Sequence, residues 1–316
     1  MEKKDKSIEY SSYIRQFWVG LMDGLGSLQV NHWRKKSLQY RLVIKLKNDP
    51  DKYNYILLQR IAKSIGGNVI ILSSSRSVIW VENHKSKISQ IVKIFDKYPP
   101  YTKRLYDQYL FYLESVKINT VDWYLENRDK KYIIKQYRSP SPSVRQITTL
   151  KTKRWPINLQ SSSVINLGKI ENQVLWYNSI PDGKKHTEEQ SFKGWLSGFI
   201  EAEGCFTLRS GCSSKTPFCS FSISQKGDFF LLERINMFFG GQRRVRKVQK
   251  KQKHIYIDQK KDQKDGLYIL EIYRKTVLEK VLLHCTAYPL YGEKQKQIIF
   301  LKKHLYKCRV VLPLWK

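Results

Sequence analysis

The sequence is poor in acidic residues. Only 27 Asp and Glu stand against 58 Lys and Arg in 316 residues, so the formal net charge is +31. There are five cysteines and no C-x-x-C pair, which argues against a disulfide framework or a zinc site. No apolar run approaches the length of a transmembrane helix. The basic excess predicts a polyanionic partner, and nucleic acid is the default among such partners.

The chain does have enough apolar and aromatic residues for a folded core. Apolar residues make up 41% of the sequence and aromatic residues 13%, a composition that excludes a disordered basic tail. The length favours one large domain or two modest ones.

Three landmarks occur twice and in the same order. The first is a glycine motif at residues 18–28 and again at 196–206, in which Gly20 corresponds to Gly198. The second is the segment 57–61 followed by Gly66-Gly67, which corresponds to 231–235 followed by Gly240-Gly241. The third is Tyr98-Pro-Pro-Tyr101, which corresponds to Tyr288-Pro-Leu-Tyr291. This repetition predicts a duplicated domain.

Each copy shows the same order of elements, α-β-β-α-β-β-α. The alternation of Tyr40, Leu42 and Ile44 with charged neighbours is typical of a strand with one buried face. The predicted fold class is α+β, with two pseudo-symmetric αββαββα repeats and antiparallel sheets whose outer, basic faces form a saddle for nucleic acid. The predicted units are an N-terminal repeat at 1–117, a linker at 118–190 and a C-terminal repeat at 191–316.

Small residues predict how the two copies meet. Gly20 and Gly24 lie about one helical turn apart, as do Gly198 and Ala202, so each pair shares one face of its helix. We expect the two motif helices to pack side by side, with their C-terminal ends meeting above the centre of the combined sheet. A carboxylate at each end would form a pair of acids able to hold divalent ions and activate water for phosphodiester hydrolysis.

These motifs resemble the LAGLIDADG family, the homing endonucleases and RNA maturases encoded within group I introns, and most closely its two-repeat members from fungal mitochondrial introns. In that family the last acid of each motif is a metal ligand. Glu203 occupies this place in the second copy, whereas Leu25 occupies it in the first. Asp23 and Glu201 match an earlier acid of the motif that is more often structural. The resemblance implies Mg²⁺ as the cofactor if the protein is an active nuclease.

The same resemblance implies four further catalytic candidates besides Glu203. The family places Gln or Asn at the end of each second strand, near the metal-bound water; Gln225 fits this place, and Asn48 is taken as its counterpart. A basic residue that follows the Tyr-Pro landmark stabilises charge at the phosphate. Lys294 fits this role in the second copy and Arg104 in the first.

Candidate nucleic-acid contacts lie on the predicted outer strand faces and in a basic run. They are Gln29, Asn31, Arg41, Lys45, Lys47, Arg209, Arg243, Arg244, Arg246 and Lys247. The run at residues 243–253 continues to Lys260-Lys261 and is interpreted as a long strand hairpin with a charged tip.

Three functions remain open at this point. An RNA maturase that binds its host group I intron needs the basic surface but no metal site. A homing endonuclease that cuts double-stranded DNA needs two acids, and Leu25 has no side-chain oxygen to offer a cation. A DNA-binding protein or nickase left by decay of the endonuclease is the third.

The maturase is favoured, because an intact scaffold with a broken catalytic site suggests a retained binding role. Its partner would be group I intron RNA, or, for the alternatives, double-stranded DNA. We expect a monomer with no membrane association. A mitochondrial location follows from the resemblance, and the hydrophilic first residues carry no apolar signal region.

Overall fold

The computed structural model describes residues 2–73, 76–130, 182–209, 218–241, 243–248 and 266–307. It contains two four-stranded antiparallel sheets with the same strand order, β1-β2-β4-β3 in the N-terminal repeat and β5-β6-β8-β7 in the C-terminal repeat. The duplicated α+β fold that the sequence predicts is therefore confirmed.

The N-terminal repeat comprises α1 (Glu2–Leu25), β1 (Gly26–Trp33), β2 (Ser37–Lys47), α2 (Tyr53–Ile65), β3 (Asn68–Ile71), β4 (Ser77–Glu82), α3 (Lys85–Ile91), α4 (Ile94–Lys97) and α5 (Lys103–Ile118), followed by α6 (Val121–Asn127). The C-terminal repeat comprises α7 (Asp182–Glu203), β5 (Gly204–Arg209), β6 (Phe218–Lys226), α8 (Phe229–Phe239), β7 (Arg246–Lys247), β8 (Leu267–Ile272), α9 (Lys275–Ala287) and α10 (Lys294–Lys307).

Local sequence explains where α2 begins and ends. Both carboxylate oxygens of Asp49 accept hydrogen bonds at its first turn, from the backbone N–H groups of Tyr53 (3.1 Å) and Asn54 (2.8 Å). These bonds satisfy donors that have no partner inside the helix. The helix stops at Gly66, whose φ of 100° is open to glycine. Helix α2 thus ends directly before the Gly66-Gly67 landmark that the sequence repeats at Gly240-Gly241.

Strand alternation agrees with the sequence at most positions. Leu28 and Val30 of β1 and Leu42 and Ile44 of β2 are fully buried against the helices. Ser220 of β6 alternates with the inward-facing Cys219 and Phe221 and therefore points outward, yet it is only 9% exposed. Outward orientation along a strand does not by itself guarantee contact with solvent.

The two motif helices cross at the centre of the molecule, where backbone meets backbone. A Cβ atom built on Gly20 would overlap the Trp195 carbonyl oxygen of α7, and one built on Gly198 would overlap the Phe17 carbonyl oxygen of α1. A Cβ on Gly24 would likewise overlap the Ala202 Cβ. The helices reach this separation because no side chain stands between them.

The other two landmarks meet each other across the same interface. The Arg60 guanidinium of the N-terminal repeat lies 4.8 Å from the centre of the Tyr291 ring in the C-terminal repeat. The symmetric pair also forms, with Arg234 lying 4.9 Å from the centre of the Tyr101 ring. Each repeat therefore supplies one cation and one aromatic ring to a pair of cation–π contacts.

The segment predicted as a linker contains helical structure at both of its ends. Helix α6 lies within it, and its Trp123 ring packs 5.3 Å from the ring of Phe111. Helix α7 begins at Asp182, inside the predicted linker rather than at its end. Residues 131–181 and the predicted charged hairpin tip at 249–265 lie outside the described residues. Within the described ranges, no helix has both the length and the apolar character of a membrane span.

Inserting a side chain between α1 and α7 should destabilise the whole protein. Gly198→Ala places a methyl group against the rigid Phe17 carbonyl, and we expect a loss of about 3 kcal/mol, the upper range for overpacking. Gly194→Ala on the same helix is the comparison variant, because its methyl group meets side-chain atoms of Gln16 instead of a backbone carbonyl. The Gln16 Oε1 can turn away and only the Gln16 Cβ, at 2.8 Å, has to shift, so we expect a smaller loss. Urea denaturation of both variants measures the difference. Equal stabilities would contradict the close backbone contact.

Candidate functional site

The C-terminal ends of α1 and α7 meet at the repeat interface and present different side chains. Glu203 ends α7 and is half-buried, and its Oε1 would lie 3.4 Å from a Cβ built on Gly24 of the other helix. Leu25 ends α1 and is 43% exposed. The centre that both repeats share thus holds a carboxylate from one repeat and an alkyl side chain from the other.

The earlier acids, Asp23 and Glu201, are buried and hold neighbouring helices in place. Asp23 accepts hydrogen bonds from the backbone N–H groups of Tyr101 (2.8 Å) and Thr102 (3.1 Å) at the start of α5, and from the Trp195 indole N–H (2.7 Å) of the other repeat. Glu201 accepts bonds in the same way from the N–H of Gly292 (3.0 Å), before α10. Both acids therefore stabilise helix N-termini by accepting hydrogen bonds from backbone N–H groups.

A third buried acid, Asp228, joins the two repeats at this place. It follows β6, and its Oδ1 accepts a hydrogen bond from the Lys103 N–H (3.1 Å) at the start of α5. Burial, together with the negative charge of the nearby Asp23 carboxyl, raises the pKa of Asp228 to about 7, although the hydrogen bond from the Lys103 N–H opposes the shift. Burial also raises the pKa of Asp23 to about 6, although its hydrogen bonds oppose the shift.

The two basic candidates cap the motif helices rather than standing free. Lys294 donates from Nζ to the carbonyl oxygens of Ala202 (2.9 Å) and Ile200 (3.1 Å). Arg104 donates to several carbonyls at the end of α1, among them Gly26 (2.6 Å) and Asp23 (2.8 Å). These carbonyl groups have no partner inside the helix and carry the negative end of its dipole.

The same two cations act on Glu203. Burial raises the pKa of the Glu203 carboxyl, and the positive charges of Lys294 and then Arg104 oppose that rise. Burial in turn lowers the pKa of Lys294. Glu203, Lys294 and Arg104 therefore form one electrostatic group, and Leu25 adds no charge to it.

Strand register corrects one predicted correspondence. Gly26 pairs with Ile44 in the N-terminal sheet, and Gly204 pairs with Ile223 in the C-terminal sheet. Two residues further along each strand stand Leu46 and Gln225. Leu46, rather than Asn48, is therefore the counterpart of Gln225.

The environment of Gln225 is polar, whereas that of Leu46 is not. Gln225 is 8% exposed, and its side chain forms a hydrogen bond with Asp228. Leu46 is 7% exposed and belongs to the hydrophobic core. The N-terminal half of the centre thus has an apolar residue both in place of the acid and in place of the amide.

The donor set does not fit a metal centre built on two carboxylates. Divalent cations such as Mg²⁺ prefer charged oxygen ligands, and Glu203 is the one carboxylate that the motif ends supply. Across the described residues, no group of three or more His, Cys, Asp and Glu side chains is placed to hold a metal ion. We therefore assign no metal-dependent step to the N-terminal half of this centre.

Five of the predicted nucleic-acid contacts share the outer face of the N-terminal sheet. They are Gln29 and Asn31 on β1 and Arg41, Lys45 and Lys47 on β2, all of which alternate with buried residues. Arg41 donates from Nε to the Asn83 side chain (3.1 Å), and Lys47 pairs with Glu293 of the other repeat (3.6 Å). The structure brings this set together on one surface.

That outer face is mixed rather than wholly polar. Val43 stands between Arg41 and Lys45 on β2, and Ile79 lies directly opposite Lys45 on β4. Both apolar residues are half-buried. The basic side chains thus border an apolar strip.

The basic candidates of the C-terminal repeat are more scattered. Arg243 lies over the Tyr273 ring at 4.8 Å, Arg244 is exposed, and Arg246 forms an ion pair with Glu271 at 2.6 Å. Register places Arg246 on the outer face, beside Ile269 and Ser224, but Lys247 on the opposite face, beside Tyr268 and Gln225. Lys247 is therefore separated from the outer surface to which it was assigned. The side chain of Arg209 lies outside the described part of the chain.

Sequence reasoning did not single out Leu46 or Asp228. The signal for Asp228 was present, because Asp49 and Asp228 each follow the second strand of a repeat by the same distance. Aligning these two acids also brings Leu46 into line with Gln225.

Comparison with known proteins gives a consistent result. A family model described as LAGLIDADG endonuclease matches residues 18–115 and 196–305. The chain is 35% identical to a Dictyostelium citrinum protein named probable intron-encoded endonuclease aI3, over 94% of this chain and 96% of that protein. It is 38% identical to a Debaryomyces hansenii protein of the same name, over 93% of this chain but 39% of the longer relative.

Solved structures with the same fold are more distant in sequence. The I-LtrWI LAGLIDADG homing endonuclease bound to target DNA aligns with a TM-score of 0.58 at 17% identity, over 94% of this chain and 91% of that one. The LAGLIDADG meganuclease I-AabMI bound to uncleaved DNA aligns with a TM-score of 0.56 at 20% identity, over 92% and 93%. At these identities the likeness establishes the fold.

The buried acid Asp228 should make stability depend on pH. Its pKa in the folded state, about 7, lies above the ordinary aspartate value of 3.8, so folding favours the protonated carboxyl. The contribution of the protonated Asp228 to the free energy of unfolding is fully present below about pH 4 and is lost as pH rises through about 7. The free energy of unfolding changes by at most about 1.4 kcal/mol per pH unit over this range. Asp228→Asn keeps the acceptor oxygen but removes the titration.

The measurement is the difference in unfolding free energy between the two proteins from pH 5 to 8. The variant should become more stable relative to the unmodified chain as pH rises to about 7, and the difference in unfolding free energy should then level off. A pH-independent difference would show that Asp228 does not titrate in this range.

Proposed function

The chain belongs to the LAGLIDADG endonuclease family, and from that premise we propose that it is an intron-encoded maturase. It binds its host group I intron RNA and assists splicing of a mitochondrial precursor RNA. The protein acts as a monomer, because one chain supplies both repeats and the whole interface between them. DNA cleavage is weak or latent on this scaffold.

The observation that carries this proposal is the asymmetry of the shared centre. Leu25 stands in place of the acid, and Leu46 stands where the other repeat has Gln225. Cutting both strands of a duplex requires two hydrolytic events, and the N-terminal half has neither an acid at the end of its motif helix nor an amide at the position of Gln225. A single carboxylate, Glu203, remains for both.

The outer face of the N-terminal sheet, in contrast, carries the basic side chains that nucleic-acid binding needs. Arg41, Lys45 and Lys47 share one sheet face, and the chain carries a net charge of +31. Phosphate contacts of this kind dominate nucleic-acid affinity and do not depend on a catalytic metal. A protein with this surface and a deficient centre is suited to binding rather than cutting.

A second candidate is a DNA homing endonuclease or nickase that promotes intron mobility. The names of the relatives favour it, and the C-terminal half retains Glu203, Lys294 and Gln225 together. Such a half-centre would cut one strand with a divalent ion held by Glu203 and the DNA phosphate. We rank it second, because a half-centre of this kind cuts one strand, whereas a homing endonuclease has to cut both.

A splicing assay with Glu203→Gln separates binding from cleavage. The unmodified chain should accelerate splicing of its host intron RNA, and the variant should do so within about twofold, because the substitution removes one charge and no contact surface. Nicking of the intron-free DNA site in Mg²⁺ should fall to background in the variant. Both readouts are taken on one preparation whose folding is checked by circular dichroism.

Two outcomes would overturn the ranking. Loss of splicing assistance in a folded, RNA-bound variant would mean that Glu203 serves the RNA function directly. Robust double-strand cutting by the unmodified chain that vanishes in the variant would establish the endonuclease.

Restoring cleavage should require both apolar positions of the N-terminal half. Leu25→Asp returns the acid and Leu46→Gln returns the amide, and groups that act as a unit are not additive. We expect the double variant to cut both strands about a hundredfold faster than either single variant, the scale of one electrostatic group in such a centre. Plasmid linearisation in Mg²⁺ measures this effect.

The control is the double variant with Glu203→Gln added, which should return cleavage to background. If Leu25→Asp alone cuts as fast as the double variant, then position 46 has no part in the chemistry.

A further inference from the structure

We propose that the tip of the β1–β2 hairpin, residues 33–36, is a binding site for an unpaired nucleotide of an RNA strand. One base stacks on Trp33, and the neighbouring phosphates lie against Lys35, Lys36 and Lys85. This inference deepens the proposed RNA function and rests on it for the identity of the nucleic acid. It concerns a surface outside the shared centre.

The first observation is an exposed aromatic ring on the nucleic-acid face. Trp33 is 52% exposed and lies on the same outer side of β1 as Gln29 and Asn31. The Arg34 guanidinium lies 5.1 Å from the centre of its ring. An indole flanked by a cation is a stacking surface for a base rather than part of an apolar patch for a protein partner.

The second observation is backbone strain that places cations at the tip. Arg34 and Lys35 have φ values of 47° and 56°, in the left-handed region that glycine and asparagine favour in such turns. The turn is closed by the bond from the Lys36 N–H to the Trp33 carbonyl (2.8 Å). It is supported by a bond from the Lys35 N–H to His32 Nδ1 (3.2 Å). Strain held in this way is a mark of functional segments.

The third observation is a cleft of about 460 Å³ beside the tip, on the other side of the hairpin. Its lining includes Lys35, Lys36, Lys85, Tyr40, Asn119 and one acid, Asp122. Lys85 is held in position, since its Nζ donates to the Asn119 side chain (2.6 Å) and lies 5.3 Å from the centre of the Tyr40 ring. Three lysines against one carboxylate favour an anionic ligand such as a backbone phosphate.

Together these features distinguish a single strand from a duplex. In a duplex the faces of the bases are covered by their neighbours, so a ring such as Trp33 finds no partner without unstacking the helix. Unpaired loop nucleotides expose that face, and proteins recognise them by stacking on aromatic side chains. A single strand that crosses the tip can place one base on Trp33 and the next phosphates in the cleft.

The test measures affinity of the full chain for a 12-nucleotide single-stranded RNA, the same RNA as a duplex, and the same sequence as single-stranded DNA. Trp33→Ala should weaken single-stranded RNA binding by roughly five- to a hundredfold, as expected for the loss of one base–aromatic stack. Trp33→Phe should retain most of the affinity, and duplex binding should not change. Ile70→Ala is the matched control, because Ile70 is an exposed apolar residue, 47% exposed, on the outer face of the same sheet.

Other outcomes would contradict the proposed stacking site or its assignment to RNA. An unchanged affinity in Trp33→Ala, or an equal loss on duplex RNA, would overturn the stacking site. Single-stranded DNA bound as tightly as the RNA would overturn the assignment to RNA. If the Trp33-dependent binding is found but the unmodified chain does not assist splicing, the site stands and the maturase proposal fails.

Discussion

The contact between the backbones of α1 and α7 is the constraint on which the rest of the structure depends. Gly20 and Gly198 let each helix touch a carbonyl group of the other. This geometry brings two helix C-termini to one point, and with them two negative dipole ends and the buried acids Asp23 and Glu201. Such a concentration of negative potential must be balanced locally.

The balance comes from the elements that follow each Tyr-Pro landmark. The N-termini of α5 and α10 turn their N–H groups towards Asp23 and Glu201, and Arg104 and Lys294 from the same helices donate to the carbonyl groups at the motif-helix ends. The two basic residues are therefore needed to hold the interface together, whether or not a phosphate is cut. Their presence alone is weak evidence for catalysis.

The same reasoning explains why position 25 can carry a leucine without loss of the fold. Leu25 lies 43% exposed at the end of α1, whereas Asp23, two residues earlier, is fully buried and bonded to three neighbouring residues. Substituting the exposed position leaves every cap in place. Substituting the buried Asp23 would leave the N–H groups at the start of α5 without a hydrogen-bond acceptor.

The sequence was sufficient for the features that depend on local pattern. Alternation in β2 and the small residues of the motif helices follow from periods of two and about four residues. The end of α2 follows from the glycine pair Gly66-Gly67. The cation–π contact between Arg60 and Tyr291 could not be predicted from local pattern, because it joins residues far apart in the chain. The family resemblance assigns Asn48 as the counterpart of Gln225, because it implies an amide at the end of each second strand. The strand pairing places Leu46 there instead.

Catalysis and binding respond differently to such changes, and this difference bears on function. A catalytic centre acts as a unit, so replacing its acid or its amide removes most of its activity. Binding to a polyanion sums many phosphate contacts, each of modest weight, and tolerates the loss of any one. In this chain the changes to apolar residues fall on Leu25 and Leu46, while Arg41, Lys45 and Lys47 remain together on the outer face. That distribution supports the proposed binding role more than it supports double-strand cutting.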